Sequence, residues 1–396
     1  MTGLVRKTPV LLPAVSKGFL KPEYWLRKQK DVEIGPCFAG VKPGVAERIA
    51  AYRRMVRQMM SGTYYDLSGS RFDWEPWQRL DATLDSLPGL QSGLIVAPAE
   101  LKILPQKEVL LSDGRVVDLD RNQISGLDPG DWCIVFAATP GEKWYGVLTR
   151  QGTGWVPEKA VALCSKTEVD SYWKFQPRLM VLDPAAKVFT NGGTLPISMG
   201  SSLPVKNFAD SLVVLPQRGS DGKLRLETVM LKGQFCMEKL PATRHNLIRQ
   251  AFQYLGYRYA WGDFDCEGRG RDCSRVVQDA FSTLGLKLPR YSQEQLAAGL
   301  NRIDLAGRGE FERRELLDCC GLGDLLFTNS HVLIFLGKEA GRYYALHAFY
   351  KYQAPVPMGE VTKTVKQVVV SDLSPGEGTS TGSLLQRLTG VVSLLT

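Results

Sequence analysis

The chain has 396 residues, of which 44% are hydrophobic and 9% aromatic. This composition is typical of a folded protein with several domains and excludes a largely disordered chain. The formal net charge is +8, and residues 1–60, with 12 basic and four acidic residues, account for all of it. We interpret that segment as a solvated basic face. Contact with an anionic polymer is the alternative, although no motif indicates nucleic-acid binding.

Several functional classes are excluded by what the sequence lacks. No apolar run reaches the roughly 18 residues of a membrane-spanning helix, so we expect no membrane span. The eight cysteines are scattered without a C-x-x-C spacing and only three histidines occur, so the sequence predicts no metal site and no cofactor. The N-terminus has no convincing signal-peptide core. We therefore expect either a cytoplasmic protein or a chain whose leader has been removed, and we predict a monomer.

The first half of the chain predicts an arm, two helices and two β-rich blocks. Residues 1–35 are rich in Pro and Lys and predict an irregular arm. VAERIAAYRRMVRQMM predicts a helix at about 43–61, and a shorter one is expected at 74–90. Short strands and turns then follow over 93–165 and, less clearly, over 166–238. The first block resembles bacterial SH3 domains, because its last strand opens with the triplet Gly154-Trp155-Val156.

The second half predicts helices followed by antiparallel strands, which is an α+β arrangement. Thr243 can cap one helix, and a second begins at Cys273 with an apolar stripe that ends before Gly285. DLLFTNSHVLIFLG and RYYALHAFYKY then read as strands, and GVVSLL as a last strand. The chain is thus predicted to contain a basic N-terminal segment at 1–92, barrels at 93–165 and 166–238, and a catalytic domain at 239–396.

Two Asp-Cys pairs offer candidate nucleophiles in this last domain. A thiol at a helix N-terminus gains from the helix dipole, which favours the thiolate. Cys273 follows the capping residue Asp272 and opens a helix, whereas Cys266 lies in a Gly-rich loop with no helix behind it. We therefore predict that Cys273 is the nucleophile and that Cys266 is not.

The histidines supply the predicted base. His331 begins a strand and His347 lies near the end of the following one, so two neighbouring strands can present two imidazoles to one helix terminus. One would accept the thiol proton and the other would orient it. The third, His245, lies in the first turn of an earlier helix and is interpreted as structural.

Four segments occur in the order of one known family: YLGYRYAWG, DCSRVVQDAF, LPRYSQEQ and GDLLFTNSHVLIFLG. Over roughly residues 240–372 the chain resembles the NlpC/P60 family of papain-like cell-wall cysteine peptidases. The resemblance implies Cys273 as nucleophile, His331 as base, His347 as the third polar residue and Tyr259 in the oxyanion pocket.

The same resemblance implies a substrate-binding set of Asp272, Ser274 and Ser292. Relatives with two SH3-like domains use the first to wall the cleft, so residues 120–125 and Trp144-Tyr145 are candidate substrate contacts. The alternative is that these residues are barrel core and turn. The chain also departs from the family pattern, because Arg275 and Asp263 stand where glycines are usual and Tyr291 where relatives often have Thr or Asp.

The resemblance implies hydrolysis of peptidoglycan stem peptides at the bond between γ-D-Glu and a diamino acid, with a free N-terminal L-Ala preferred. Whether that residue is diaminopimelate or Lys stays open. A muramoyl-L-alanine amidase, another acyl transfer on the same residues, and an inactive wall-binding protein are the alternatives. The expected compartment is the cell envelope or periplasm if a leader was removed, and otherwise the cytoplasm, for recycling of murein peptides.

Overall fold

Three large antiparallel sheets follow one another along the chain. The structure is a computed structural model that describes residues 4–35, 37–39, 44–83, 89–113, 119–139, 141, 144–265 and 268–394. Within these ranges no helix has the length and apolar character needed to cross a membrane. The described helices are α1 Pro22–Leu26, α2 Val45–Met60, α3 Glu75–Thr83, α4 Lys166–Lys174, α5 Arg244–Gln253, α6 Cys273–Thr283, α7 Ser292–Ala298, α8 Glu310–Asp318 and α9 Leu384–Arg387.

The first sheet has the strand order β3-β2-β6-β5-β4-β1-β7. Its strands are β1 Gln91–Ile95, β2 Ala99–Lys102, β3 Gln123–Leu127, β4 Trp132–Ala138, β5 Trp144–Thr149, β6 Gly152–Pro157 and β7 Val161–Cys164. Trp155 of the Gly-Trp-Val triplet is fully buried in its core. The Trp155 indole N–H donates to the Tyr52 hydroxyl at 2.8 Å, which fixes α2 against this sheet. The SH3-like classification stays a prediction.

The second sheet has the order β10-β9-β13-β12-β11-β8-β14. Its strands are β8 Arg178–Val181, β9 Lys187–Thr190, β10 Gly193–Pro196, β11 Ser202–Asn207, β12 Leu212–Arg218, β13 Leu224–Lys232 and β14 Phe235–Met237. Helix α4, which lies between the two sheets in the chain, is not predicted from the sequence. A helix-start pattern is nevertheless present, because Ser165 and Glu168 form a reciprocal capping box at its first turn.

The third sheet carries the histidines and has the order β17-β22-β18-β19-β20-β21. Its strands are β17 Arg302–Asp304, β18 Leu325–Phe327, β19 Val332–Glu339, β20 Arg342–Val356, β21 Gly359–Asp372 and β22 Gly390–Val392. A small hairpin, β15 Phe264–Asp265 and β16 Gly268–Arg269, precedes α6. The predicted α+β order of helices and then antiparallel strands is confirmed.

The N-terminal arm packs on this last region. It was expected to be irregular, yet it contains a 3-10 turn at Lys17–Leu20 and helix α1. Trp25 of α1 is fully buried in the core that surrounds Cys273. The Lys7 amide also donates to the Gly256 carbonyl at 2.9 Å. The arm therefore supports the segment that leads into Tyr259, and the domain boundaries drawn from the sequence stay predictions.

Candidate active site

The thiol of Cys273 stands at the first residue of α6. Asp272 caps this helix, because its Oδ1 accepts the Arg275 amide at 2.9 Å. All eleven residues of α6 are buried, and only 8% of Cys273 is exposed. The helix start that the sequence predicted is thus confirmed, and it places the Cys273 thiol at the edge of the core.

Burial opposes the effect of the helix dipole, which favours the Cys273 thiolate. Burial, and next the charge of Asp272, raise the pKa of Cys273 to about 12, although the backbone N–H groups of Val332 and Ser274 lower it. The helix terminus therefore does not outweigh desolvation. Cys273 is therefore a neutral thiol in the free protein at physiological pH.

A chain of hydrogen bonds leads away from His331 into the sheet. The His331 Nε2 lies 2.7 Å from His347 Nδ1, and His347 Nε2 lies 2.8 Å from the hydroxyl of Ser371 on β21. His347 and Ser371 are both fully buried. The sequence predicted the two histidines together, and the structure confirms that they meet. The sequence does not predict Ser371, because no local pattern marks this serine or the strand β21 on which it lies.

The hydrogen bonds from His331 through His347 to Ser371 determine which nitrogen of His331 can act as a base. Since His331 uses Nε2 toward His347, its Nδ1 is the nitrogen left for the thiol. A base at Nδ1 requires the His331 proton on Nε2, which places the His347 proton on its own Nε2, where the Ser371 oxygen accepts it. Burial lowers the pKa of His331 to about 3 and that of His347 well below its usual range. Both rings are therefore neutral at physiological pH.

The first residue of β19 links the thiol to the segment that carries His331. Sγ of Cys273 accepts a hydrogen bond from the backbone N–H of Val332, the residue directly after His331. Within the described part of the chain no hydrogen bond joins the thiol to the imidazole, and such contacts often tighten only when substrate binds. The hairpin before β19 is held in place by Gln293, whose amide donates to the carbonyls of Thr328 and Asn329 at 3.0 and 2.8 Å.

Tyr259, the predicted oxyanion-pocket residue, lies close to Cys273. It is 7% exposed, and its ring packs on Tyr350 with centroids 5.3 Å apart. Burial first, and then the neighbouring Cys273 and Asp272, raise the pKa of its hydroxyl well above the usual value. A neutral phenol next to the thiol can donate a hydrogen bond to an oxyanion, as can the Cys273 amide, which has no acceptor inside its helix.

The predicted substrate-binding residues differ in whether their side chains already have partners within the protein. Asp272 is already neutralised by Arg290, whose Nη2 lies 2.6 Å from Oδ2 and whose Nη1 lies 3.1 Å from Oδ1. The Ser274 hydroxyl is bonded to both of these residues. Ser292 is the buried first residue of α7, two residues after Arg290. Any substrate contact by Asp272 must therefore share its carboxylate with Arg290.

Behind the nucleophile, four arginines and four aspartates form a buried group that we call the junction cluster. Its members are Asp128, Asp263, Arg269, Arg271, Asp272, Arg275, Asp279 and Arg290. Asp128 belongs to the first sheet region, and Ser198 of the second accepts from Arg269 and Arg271 at 2.6 Å each. All three sheet regions therefore meet at a group whose charges balance.

Two of the three departures from the family pattern, Arg275 and Asp263, are partners within this cluster. Nη1 of Arg275 lies 3.1 Å from Oδ2 of Asp263, and the same guanidinium reaches Asp128 at 3.0 Å and Asp279 at 2.7 Å. Asp263 has φ 74°, in the left-handed region where glycine is unstrained, which explains the usual glycine. Although burial raises the pKa of Asp263, Arg275 and Arg290 outweigh it and hold the pKa below its ordinary value.

The first sheet reaches the site through its β3 end. The Ser125 hydroxyl accepts from Arg290 Nε at 2.7 Å, and the Gln123 amide donates to the Gly262 carbonyl at 3.0 Å. Two other candidate contacts belong to the same region. The Asp120 carboxylate forms an ion pair with Lys102, with Oδ2 and Nζ 2.8 Å apart. Trp144 is buried in the hydrophobic core of the first sheet. Trp144 thus follows the alternative interpretation, barrel core, while residues 123–125 do border the catalytic helix.

The remaining sequence expectations concern Cys266, His245 and metal binding. Cys266 lies outside the described residues. The His245 ring bonds the Gln29 carbonyl at 2.9 Å, in the arm and away from the catalytic pair. Among the described residues no cluster of His, Cys, Asp and Glu is suited to hold a metal ion.

The comparisons agree with this geometry. The model of the NlpC/P60 family matches residues 256–353, which include Cys273, His331 and His347. Residues 256–353 form an NlpC/P60 family domain. A solved structure described as a novel NlpC/P60 endopeptidase from Photobacterium damselae subsp. piscicida has the same fold along its length. It is 16% identical, with a TM-score of 0.75 over 99% of both chains.

Two further proteins are similar over shorter stretches. An NlpC/P60 family protein from Bacillus cereus ATCC 10987 is 18% identical, with a TM-score of 0.52, and covers 77% of this chain and all of its own. The bifunctional muramidase/DL-endopeptidase CwlT of Bacillus subtilis (strain 168) is 44% identical over 52 residues, which is 13% of this chain. The chain matches only 16% of the length of that curated relative.

Proposed function

We propose that the protein is a cysteine peptidase that hydrolyses peptidoglycan stem peptides at the bond between γ-D-Glu and the diamino acid. The observation that carries this proposal is the hydrogen-bonded series from His331 through His347 to Ser371, beside a thiol at a helix start. The NlpC/P60 domain and its likeness to a DL-endopeptidase over 52 residues support the substrate class.

The reaction follows from the protonation states. Nδ1 of His331 takes the proton of Cys273 as the sulfur attacks the γ-carbonyl carbon, and the developing oxyanion is met by the Tyr259 hydroxyl and the Cys273 amide. The His331 imidazolium then gives its proton to the departing amine of the diamino acid, which leaves a thioester. A water molecule, deprotonated by His331, attacks the thioester and regenerates the thiol.

We further propose that a free N-terminal L-Ala is preferred. Its ammonium would lie one residue before the scissile bond and so near Asp272, the residue before Cys273. Because Arg290 already pairs with that carboxylate, the ammonium gains a shared contact. A charge-assisted hydrogen bond of this kind contributes about 1.5–3 kcal/mol, or roughly 10- to 100-fold in kcat/KM.

The experiment compares L-Ala-γ-D-Glu-diaminopimelate, its N-acetylated form and the intact muramoyl peptide, with products identified by mass spectrometry. We expect release of the diamino acid and a rate 10- to 100-fold higher with the free amine. Equal rates on the free and acetylated peptides would contradict the preference but not the peptidase. Release of free L-Ala-led peptide from muramic acid would instead indicate an amidase.

The location of this activity is proposed on the same basis. A peptidase that prefers a free amine suits peptides already released from the sugar chains, which would place it in murein-peptide recycling in the cytoplasm. Work on polymeric wall would place it in the cell envelope. Fractionation of cells and assay of each fraction with the free peptide separates the two.

A further inference from the structure

Arg387 lies at the same end of the third sheet as the base. It is the last residue of α9, and two residues later the Thr389 amide donates to the Phe327 carbonyl at 2.7 Å. Phe327, the last residue of β18, pairs with Val332 on one side and with Gly390 on the other. The strand that follows Arg387 and the strand that follows His331 therefore flank the same short strand.

The guanidinium of Arg387 acts electrostatically on the imidazole of His331. The positive charge of Arg387 acts with burial to lower the pKa of His331. Arg387 is itself half-buried, and burial lowers its own pKa, yet a guanidinium keeps its charge at physiological pH. A cation thus stands beside the base of a peptidase, where it opposes formation of the imidazolium.

No carboxylate of the described residues pairs with this guanidinium. The hydrogen bond it makes there is weak, from Nε to the Ser383 carbonyl of its own helix at 3.4 Å. By contrast, the neighbouring Arg313 is bonded to the carbonyls of Leu385 and Leu388, and the arginines of the junction cluster are paired with acids. A half-buried cation without an anion is unfavourable unless a ligand supplies one.

The protonation of the departing amine by His331 indicates which substrate anion lies nearest. His331 must protonate the departing amine, so the diamino acid lies against His331 as it leaves. Its α-carboxylate is attached to the carbon that carries this amine, and it is therefore the substrate anion nearest to the base. We propose that Arg387 binds the α-carboxylate of the departing diamino acid, so that stem peptides which end at that residue are preferred substrates. This inference rests on the proposed function.

Binding of the carboxylate also affects the base. The carboxylate offsets the positive charge of Arg387, which removes one of the two causes that lower the pKa of His331. His331 becomes a stronger base only when a peptide with a free carboxylate is in place. The residue would therefore contribute to binding and, through the charge it carries, to the readiness of the thiol–imidazole pair.

The test uses L-Ala-γ-D-Glu-diaminopimelate with a free α-carboxylate on the carbon that carries the scissile amine, and the same peptide with that one carboxylate converted to an amide. With the wild-type protein we expect kcat/KM to be about 10- to 100-fold higher for the acid, as for a charge-assisted bond. R387Q should bring the ratio close to one by slowing the acid form alone. R387K, which keeps the charge but not the planar fork, should retain part of the ratio.

R314Q on α8 is the matched control, since Arg314 is an exposed arginine paired with Glu310 at 2.7 Å, and it should leave the ratio unchanged. Circular dichroism and a melting curve verify that each variant is folded. A wild-type ratio near one, or a ratio that R387Q does not change, overturns the inference while the proposed function stands. Cleavage of neither peptide by the wild-type protein overturns the proposed function and this inference with it.

Discussion

The pairing of Asp263 with Arg275 can be tested by a double-mutant cycle on stability. Arg275 makes three ion pairs inside the junction cluster, so R275M leaves three buried carboxylates with one partner fewer. Removal of one partner from a buried pair typically costs about 3–5 kcal/mol. D263N should cost less, about 1–3 kcal/mol, because Arg275 keeps Asp128 and Asp279, and asparagine tolerates the positive φ.

The double variant D263N/R275M is expected to cost less than the sum of the two, with a coupling of about 1–3 kcal/mol. Urea unfolding followed by fluorescence measures the four free energies, and kcat/KM on the free tripeptide shows whether α6 still presents Cys273. R314M, at an exposed pair on α8, serves as control and should change stability by less than about 0.5 kcal/mol. Additive costs, with a coupling below about 0.5 kcal/mol, would refute the pairing argument.

Three further predictions concern the catalytic residues. C273A should abolish hydrolysis. In the wild-type protein the rate of Cys273 alkylation should rise steadily with pH up to pH 10, because burial raises the pKa of this thiol to about 12. A plateau of the alkylation rate below pH 8 would instead indicate a resting thiolate. H331A should lower kcat by about 10²–10⁴-fold or more, and H347Q and S371A by less, because they disturb only the orientation of the base; equal losses for H347Q and H331A would contradict these roles. In the folded protein the pKa of His331 is about 3, which is below its value in the unfolded chain. The contribution of His331 to the free energy of unfolding is therefore complete above pH 6.5 and is lost as the pH falls toward 3. The loss amounts to at most about 1.4 kcal/mol per pH unit. Urea midpoints at pH 7 and 4.5 should therefore differ less in H331N than in the wild-type protein, and an unchanged difference would count against a neutral buried ring.

The catalytic helix and the histidine pair were predictable because their signals are local. A capping aspartate, a cysteine and an apolar stripe at helical spacing lie within about a dozen residues, and the structure confirms a helix from Cys273 to Thr283. His331 directly precedes β19 and His347 lies on β20, and strands that follow one another in the chain are commonly neighbours in a sheet. The pairing of β19 with β20 therefore follows from chain order alone.

The rest of the site depends on contacts between distant segments. Ser371 reaches His347 because β21 pairs with β20 in a register that no short motif specifies. Arg387 lies at the same end of the sheet as His331 because β22 pairs with β18, 63 residues earlier at Gly390 and Phe327. Such contacts are fixed by the packing of whole strands, so a single residue carries no sign of them in the sequence.

The departures from the family pattern show how such distant contacts can still leave a trace. Arg275 and Asp263 each replace a small residue by a charged one, and either change alone would bury an unpaired charge close to the nucleophile. Together they form one ion pair at 3.1 Å, which Asp128 of the first sheet extends by a second at 3.0 Å. Because the cluster is neutral only when all these segments are in place, docking of the first sheet and correct placement of α6 depend on the same bonds. A substitution at Asp128, outside the family domain, should consequently weaken the site that Cys273 occupies.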